Sequence, residues 1–300
     1  IGVRLVGSEM CIRDRDAINQ SDKNFLQKEN KDSKAVGIQI AGNDPVAVSH
    51  ASKVIKNCNY NEINLNIGCP SERVQNCKVG AALMDEPKTV GEMVESISHA
   101  CDLPVTIKTR LGIDDLDSYE FLCEFIETTS KYGCKHYILH ARKALLSGLS
   151  PKENRTIPPI NYPRVYKIKE QFSDLTIEIN GEIKNTSEIK EHFKYVDGVM
   201  IGREACNNPL FLREISSSVY GDIPMEMTDF FEKMFEYILK ESDSGTGVHF
   251  ITRHMTSLFK GMPGAKEWRN LAGGIDSKKS NAEDLVRSMK LFVEDKVTQH

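Results

Sequence analysis

Cys69 has the setting in this 300-residue chain that most strongly suggests chemistry. It follows the segment NLNIG (64–68), in which polar and apolar residues alternate, and it precedes Pro70 in a polar loop. Such a cysteine could be a proton donor, a metal ligand, half of a disulfide or a small buried apolar residue. The eight cysteines include no C-x-x-C pair and no nearby H-x-x-x-H. This scatter disfavours a zinc site and a disulfide scaffold.

Other polar residues that could do chemistry fall at the ends of six short apolar or β-branched runs. The runs are VGIQIA (36–41), EINLNIG (62–68), PVTIKTR (104–110), HYILHA (136–141), LTIEING (175–181) and DGVMIG (197–202), and each is typical of a strand. Lys108 follows apolar neighbours, so we expect it to point inward to an anionic or carbonyl partner. The polar residues within or just after the last positions of these runs are Gln39, Asn64, Asn66, Cys69, Lys108, Arg110, His140, Arg142, Asn180 and Arg203.

The elements that must position these residues alternate between strand and helix. Helical spacing separates most of the strands, at 45–55, 87–100, 118–132, 161–171 and 186–193. Strands that are apolar on both faces and alternate with helices predict a parallel sheet covered by helices. The number of βα units favours a (β/α)8 TIM barrel over a doubly wound sheet, and a barrel gathers the strand-end residues on one rim.

Two glycine-containing loops after the last strands suggest a phosphate site. NGEI (180–183) and MIGREA (200–205) provide backbone N–H groups and an arginine that can hold a phosphate. On residue types alone, the ligand is either FMN or a sugar phosphate.

The chain changes character at both ends. After Gly221, helical patterns at 229–239, 248–259 and 282–297 predict a small all-helical domain over 222–300, with Trp268 in its core. Residues 36–221 form the predicted barrel domain. Residues 1–35 are atypical and resemble in part a foreign junction peptide, so with six of eight strands identified we expect the barrel to be incomplete at its N-terminus.

Charge and hydropathy limit the partners. The chain has no apolar run long enough to span a membrane and no apolar leader, so we expect a cytoplasmic protein without a membrane partner. The net charge is −4, yet segment 131–170 has nine Lys or Arg against two Glu, and segment 252–270 has four against one. These segments suggest a surface that faces a polyanion, and solvated helix faces would explain them equally well.

The motif NIGCPSERVQN with the following VGAALM resembles the signature of the tRNA-dihydrouridine synthases, and most closely their A-type branch. The resemblance continues through IQIAGNDP, LHARKALLSGLSPKENR, NGEIK, VDGVMIGREACNNP and HFITRHMTSLFKGMPGAKEWR, and it spans about 36–273. It implies an FMN-binding barrel followed by a helical tRNA-binding domain, in a protein that we expect to be a monomer.

This resemblance also implies roles for single residues. Cys69 would protonate C5 of a uridine in the tRNA D-loop while reduced FMN delivers hydride to C6, and NADPH (or NADH) would then reduce the flavin again. The FMN-binding positions would be Gln39, Lys108, His140, Asn180, Gly181, Glu182, Gly202 and Arg203. The tRNA-contacting positions would be Asn66, Lys152, Arg155 and Arg269, and no metal is implied.

The implied chemistry suits these residue types. A thiol has a pKa of about 8.5 and stays protonated at neutral pH, so it can serve as the acid. Two alternatives remain open: an FMN barrel that reduces a small molecule, as dihydroorotate dehydrogenases do, and an inactive tRNA-binding fragment.

Overall fold

A computed structural model describes residues 2–5, 9–14, 36–71, 78–273 and 281–297. The chain divides into two compact units. The first comprises Ile1–Ile183 and Ser187–Gly202, and the second comprises Lys184–Thr186 and Arg203–His300. Each unit is described separately below.

The first unit is built on a parallel sheet. Its described strands, numbered in chain order, are β1 (Gly2–Leu5), β2 (Glu9–Asp14), β3 (Gly37–Ala41), β4 (Glu62–Ile67), β5 (Val105–Thr109), β6 (His136–His140), β7 (Thr176–Asn180) and β8 (Gly198–Ile201). They are ordered β1-β8-β7-β6-β5-β4-β3-β2. This is the strand order of a (β/α)8 barrel, as predicted, because β1 lies beside the last strand and β2 beside the third.

The N-terminal strands correct one expectation. We expected residues 1–35 to contribute no strand, yet Gly2–Leu5 pairs with β8 and Glu9–Asp14 pairs with β3. The segments GVRL and EMCIRD are short and partly charged, so periodicity did not reveal them; each finds a partner at the otherwise open edge of a neighbouring strand. No pairing joins β1 to β2 within the described residues. The polar segment 16–34 lies outside the described residues.

Helices follow most of the remaining strands: α1 (Pro45–Ile55), α2 (Pro87–Ala100), α3 (Tyr119–Lys131), α4 (Tyr162–Gln171) and α5 (Thr186–His192). Two 3₁₀ turns, Gly80–Asp85 and Glu153–Arg155, were not expected. Local signals start these helices. Asp44 accepts the Val46 N–H at 3.0 Å before Pro45, and Ser118 accepts the Phe121 N–H at 3.0 Å. Such caps satisfy donors that have no partner inside the helix.

The sheet is not apolar on both faces, which corrects a second expectation. β4 is buried throughout, but Ile63, Leu65 and Ile67 alternate with Glu62, Asn64 and Asn66. Successive side chains of a strand point to opposite faces, so one face of β4 is apolar and the other is polar. The polar residues of neighbouring strands hydrogen-bond to one another across the barrel interior, which allows their burial.

The second unit is helical in every described element between Arg203 and Val297. Its helices are α6 (Arg203–Asn207), α7 (Phe211–Tyr220), α8 (Met227–Asp243), α9 (Val248–Thr252), α10 (Ala265–Gly273) and α11 (Ala282–Val297). Gly221, the predicted domain boundary, caps α7 with φ 73° inside this unit. The predicted helix at 248–259 ends as a helix at Thr252.

Aromatic residues form the core of the second unit. Trp268 is fully buried, as predicted, and its ring contacts those of Phe231, Phe259 and Phe292. Its indole N–H donates to the Met255 carbonyl oxygen at 2.7 Å, so its polar atom is satisfied. Among the described helices of the whole chain, none is both long and apolar enough to cross a membrane.

Candidate functional site

The loop after β4 holds Cys69 in a defined position. Asn66, the second-to-last residue of β4, accepts hydrogen bonds at its Oδ1 from the backbone N–H groups of Gly68 (3.1 Å) and Cys69 (3.0 Å). The Cys69 carbonyl oxygen accepts the Ala81 N–H at 3.0 Å. The Cys69 side chain is a partly exposed free thiol, and its Sγ lies 3.5 Å from Ser71 Oγ. The backbone is therefore fixed while the sulfur stays accessible.

Arg110, which directly follows β5, also holds this loop through hydrogen bonds. Its Nε donates to the Gly68 carbonyl oxygen at 3.2 Å, and a terminal nitrogen donates to the Asn154 carbonyl oxygen at 2.9 Å. Burial lowers the pKa of Arg110 to about 10; the nearby Cys69 opposes this shift, while Arg142 and Arg155 add to it. A buried cation thus lies beside the backbone of the Cys69 loop.

Amide side chains line the barrel interior below this loop. The Gln39 Nε2 donates to Asn64 Oδ1 at 2.7 Å, and the Asn66 Nδ2 donates to Gln39 Oε1 at 2.9 Å. All three side chains are buried. Both ends of the Gln39 amide are therefore held by the neighbouring strand β4.

The cationic and amide groups of β5 to β7 meet on the same rim. Lys108 is partly buried, and its Nζ donates to Asn180 Oδ1 at 3.3 Å, which supplies the expected carbonyl partner. Asn180 Nδ2 donates to the Met200 carbonyl oxygen at 2.9 Å. His140 is paired with Asn180 in the register of β6 and β7. The three side chains belong to one polar layer at the carboxyl ends of the strands.

Gly181 and Glu182 form a tight loop beyond Asn180. Gly181 has φ +127°, and a Cβ there would lie 2.9 Å from His140 Cδ2. Glu182 also has a positive φ of 54°, and its carboxylate pairs with Arg142 at 3.0 Å. Arg142 is 4% exposed, and its Nε has no hydrogen-bond partner among the described residues. A buried donor without a partner fits an anionic oxygen of a ligand.

The structure brings together the predicted residues of the first unit only in part. Gln39, Asn66 and Cys69 lie on β3, β4 and the loop after β4, and Asn66 is paired in register with Lys108 on β5. Lys108 hydrogen-bonds to Asn180 on β7, next to which lie His140, Gly181 and Glu182. Gly202 follows β8 at the end of the first unit. Arg203 begins α6 and Arg269 is exposed on α10, and both belong to the second unit.

The basic segment 131–170 is not a single charged surface. Lys131, Lys143 and Lys169 pair with Glu127, Asp117 and Asp197 at 2.9 Å each. Arg164 donates to the Asp117 carbonyl oxygen. Lys152 and Arg155, at the 3₁₀ turn after β6, are exposed. Only part of the excess charge is therefore available for a polyanion.

Two structural residues of the site were not identified from the sequence. Asn154 is fully buried; its Nδ2 donates to the Leu145 carbonyl oxygen at 2.9 Å and its Oδ1 accepts the Leu145 N–H at 2.7 Å. Tyr162 donates from its hydroxyl to the Gly181 carbonyl oxygen at 2.7 Å. An asparagine between charged residues and a tyrosine before a helix proline gave no signal of these long-range contacts.

Fold and site together define an α/β-barrel enzyme with a thiol and several cationic side chains at the carboxyl ends of its strands. Comparison with known proteins specifies the family: the family model described as "Dihydrouridine synthase (Dus)" matches residues 1–294. The chain belongs to the dihydrouridine synthase family.

Curated relatives are similar over most of the chain. The tRNA-dihydrouridine(20/20a) synthase of Vibrio cholerae is 49% identical over 243 residues, which is 80% of this chain and 74% of the relative. The protein of the same name from Escherichia coli K12 is 50% identical over 237 residues, or 78% and 69% of the two chains. Among solved structures, an old yellow enzyme homologue from Zymomonas mobilis matches with a TM-score of 0.42 at 11% identity, over 58% of this chain and 51% of that chain.

Proposed function

We propose that this protein reduces the C5=C6 bond of a D-loop uridine in tRNA to give dihydrouridine, with FMN as its flavin, NADPH as reductant and Cys69 as the proton donor to C5. Family membership and the names of relatives about half identical to the chain support the reaction and the tRNA substrate. The observation that supports the acid best is the Cys69 loop, where Asn66 and Arg110 hold the backbone and leave the thiol accessible.

The residues of the first unit fit an FMN. The orphaned Nε of buried Arg142, beside Glu182, suits an anionic oxygen, and Gly181 leaves open the space that a Cβ would fill against His140. Gln39, Lys108, His140, Asn180, Gly181, Glu182 and Gly202 would hold the cofactor. Bound there in its reduced form, FMN supplies the hydride that adds to C6 of the uracil.

Cys69 completes the reduction by moving one proton. Hydride addition at C6 leaves an enolate over C5 and O4, and the Cys69 thiol transfers its proton from Sγ to C5. Solvent then returns a proton to Sγ before the next turnover. Lys108, held by Asn180, places a second positive charge on the rim, which would stabilise negative charge on a bound cofactor.

The tRNA substrate requires groups outside the barrel interior. A uracil packed in folded tRNA must be extracted before a buried rim can act on it. Exposed Lys152 and Arg155 would contact the backbone near the site, and Arg269 would contact it on the helical unit. Asn66 directs its Oδ1 to the Cys69 loop and its Nδ2 to Gln39, so a contact with the uracil could use only its second N–H.

Dihydrouridine formation on unmodified tRNA under single-turnover conditions tests the proposal. Wild-type protein and a Cys206→Ala control, which removes an exposed cysteine of the second unit, should form dihydrouridine at equal rates. Cys69→Ala should be slower by roughly two to four orders of magnitude, the usual contribution of a general acid. Full single-turnover activity of Cys69→Ala would overturn the acid assignment. Flavin-loaded wild-type protein that leaves tRNA unchanged would overturn the function.

A further inference from the structure

We propose that Glu62 is a positioning residue for Cys69, and that it acts through a chain of buried hydrogen bonds running along the barrel interior. The effect on catalysis rests on the proposed function, whereas the effect on the Cys69 loop does not. Glu62 lies at the first position of β4 and Cys69 lies in the loop after its end, so the chain runs the full length of the strand.

The hydrogen bonds from Glu62 to Cys69 form a continuous series. Thr106 Oγ1 donates to Glu62 Oε1 at 2.9 Å and accepts from Asn64 Nδ2 at 2.7 Å. Asn64 Oδ1 accepts from Gln39 Nε2 at 2.7 Å, and Gln39 Oε1 accepts from Asn66 Nδ2 at 2.9 Å. Asn66 Oδ1 then accepts the N–H groups of Gly68 and Cys69. Each of the five side chains in this hydrogen-bond series is at most 7% exposed.

The groups at both ends of this hydrogen-bond series determine which atoms donate and which accept along it. The Thr106 hydroxyl has a single hydrogen and donates it to Glu62, so it can only accept from Asn64. Each amide that follows must then present its nitrogen toward Glu62 and its oxygen toward Cys69. The backbone N–H groups of the loop only donate and require the same orientation of Asn66. A reversed chain would place the Asn66 NH₂ against two N–H donors.

The absence of a side chain at Gly37 leaves space for the Glu62 side chain. A Cβ at Gly37, on the adjacent β3, would lie 2.8 Å from Glu62 Cγ. The carboxylate is therefore packed against a glycine while its oxygen faces Thr106. Burial limits competition from water, so a break in the chain leaves unsatisfied polar groups and loosens the end that holds Cys69.

A matched pair of variants at Thr106 tests this inference. Thr106→Val has a similar shape but interrupts the chain, whereas Thr106→Ser keeps the hydroxyl. Iodoacetamide labelling followed by mass spectrometry gives the alkylation rate of Cys69 relative to that of exposed Cys206 in the same molecule. We expect this ratio to rise about threefold or more in Thr106→Val and to stay near wild type in Thr106→Ser. The single-turnover rate should fall roughly tenfold in the valine variant, with tRNA affinity unchanged.

An unchanged alkylation ratio in folded Thr106→Val would overturn the positioning role, even if activity fell with the folded fraction. If Thr106→Val does not fold, Glu62→Met decides. Its side chain has a similar length but no carboxylate oxygen, so the Thr106 hydroxyl loses its acceptor at that end of the hydrogen-bond series. The ratio should then rise, and a wild-type ratio would reject the proposal. If wild-type protein forms no dihydrouridine, the alkylation ratio still tests the chain, so the two failures are distinguishable.

Discussion

Lys108 Nζ donates a hydrogen bond to Asn180 Oδ1 over 3.3 Å, although β6 separates their strands in the sheet. The contact holds a positive charge over the barrel interior at the carboxyl ends of the strands. Asn180 is held in turn by the Met200 carbonyl oxygen on β8. The position of the Lys108 ammonium is thus determined by three strands.

Lys108→Met is expected to weaken FMN retention by about one to two orders of magnitude, because a charge-assisted hydrogen bond contributes roughly 1.5–3 kcal/mol. Flavin absorbance per protein after dialysis measures the effect. Lys131→Met is the control, since Lys131 is an exposed lysine that pairs with Glu127 on α3. A Lys108→Met protein with the flavin content of wild type would contradict the assignment.

Gly181→Ala is expected to lose flavin binding through a clash as well as through backbone strain. The new Cβ would press on His140 at 2.9 Å, and φ +127° is unfavourable for alanine. Gly148→Ala separates the two effects because Gly148 has φ +80° and nothing within 4 Å of a Cβ. Both variants should lose about 1 kcal/mol or more of stability in thermal unfolding. Only Gly181→Ala should lose flavin, and equal flavin loss in both would argue against a site at Gly181.

Removal of the exposed cations near the rim should weaken tRNA binding. For the double variant Lys152→Ala with Arg155→Ala, we expect the Kd to rise about tenfold and the slope of log K against log salt to fall by about two. The double variant Lys56→Ala with Lys131→Ala removes the same charge from pairs with Asp102 and Glu127. Filter binding at several salt concentrations compares the two. Equal losses would mean that net charge, rather than this loop, binds the tRNA.

His192 should make stability fall on acidification. It is 4% exposed, and neutral Nδ1 can accept from the Tyr166 hydroxyl at 2.8 Å. Burial lowers the pKa of His192, and nearby Glu188 and Glu191 oppose this shift only in part. The unfolded chain therefore binds a proton first as pH falls below about 6.5, and stability is lost from there down through the lower folded pKa.

Thermal unfolding from about pH 7.5 to about pH 5.5 measures this effect. His192→Asn should be less stable at the upper pH by about 1 kcal/mol, from the lost hydrogen bond and packing, and should lose less on acidification than wild type. Exposed His99 on α2 provides the control, and His99→Asn should follow the wild-type curve. A wild-type pH dependence in His192→Asn would show that other groups are responsible.

Much of the fold follows from local signals. Pro45–Ile55, Pro87–Ala100 and Ala282–Val297 have the predicted bounds, because apolar periodicity agrees with the starting signals, including a proline at the N-terminus of the first two. Helices α6, α7 and α10 were not assigned to segments of their own, and β1 and β2 were missed. Short elements give too few periods for a pattern, and their pairing or packing comes from distant parts of the chain.

The candidate site was predictable in its residue types and not in its connections. Polar residues at strand ends indicated the rim, and a lysine after apolar residues indicated an inward contact. The hydrogen-bond series from Glu62 to Cys69 could not be predicted, because hydrogen bonds between β3, β4 and β5 depend on strand register, which no single segment reveals. In EINLNIG, polar and apolar residues alternate, and this alternation was the one available signal of a polar barrel interior.

The buried indole of Trp268 has a practical consequence. It is the only tryptophan of the chain, and it is enclosed by Phe231, Phe259 and Phe292 in the helical unit. Fluorescence excited selectively at this residue therefore reports on the loosening of that unit alone. A red shift of its emission that is complete while part of the circular dichroism signal remains would reveal that the helical unit unfolds before the barrel.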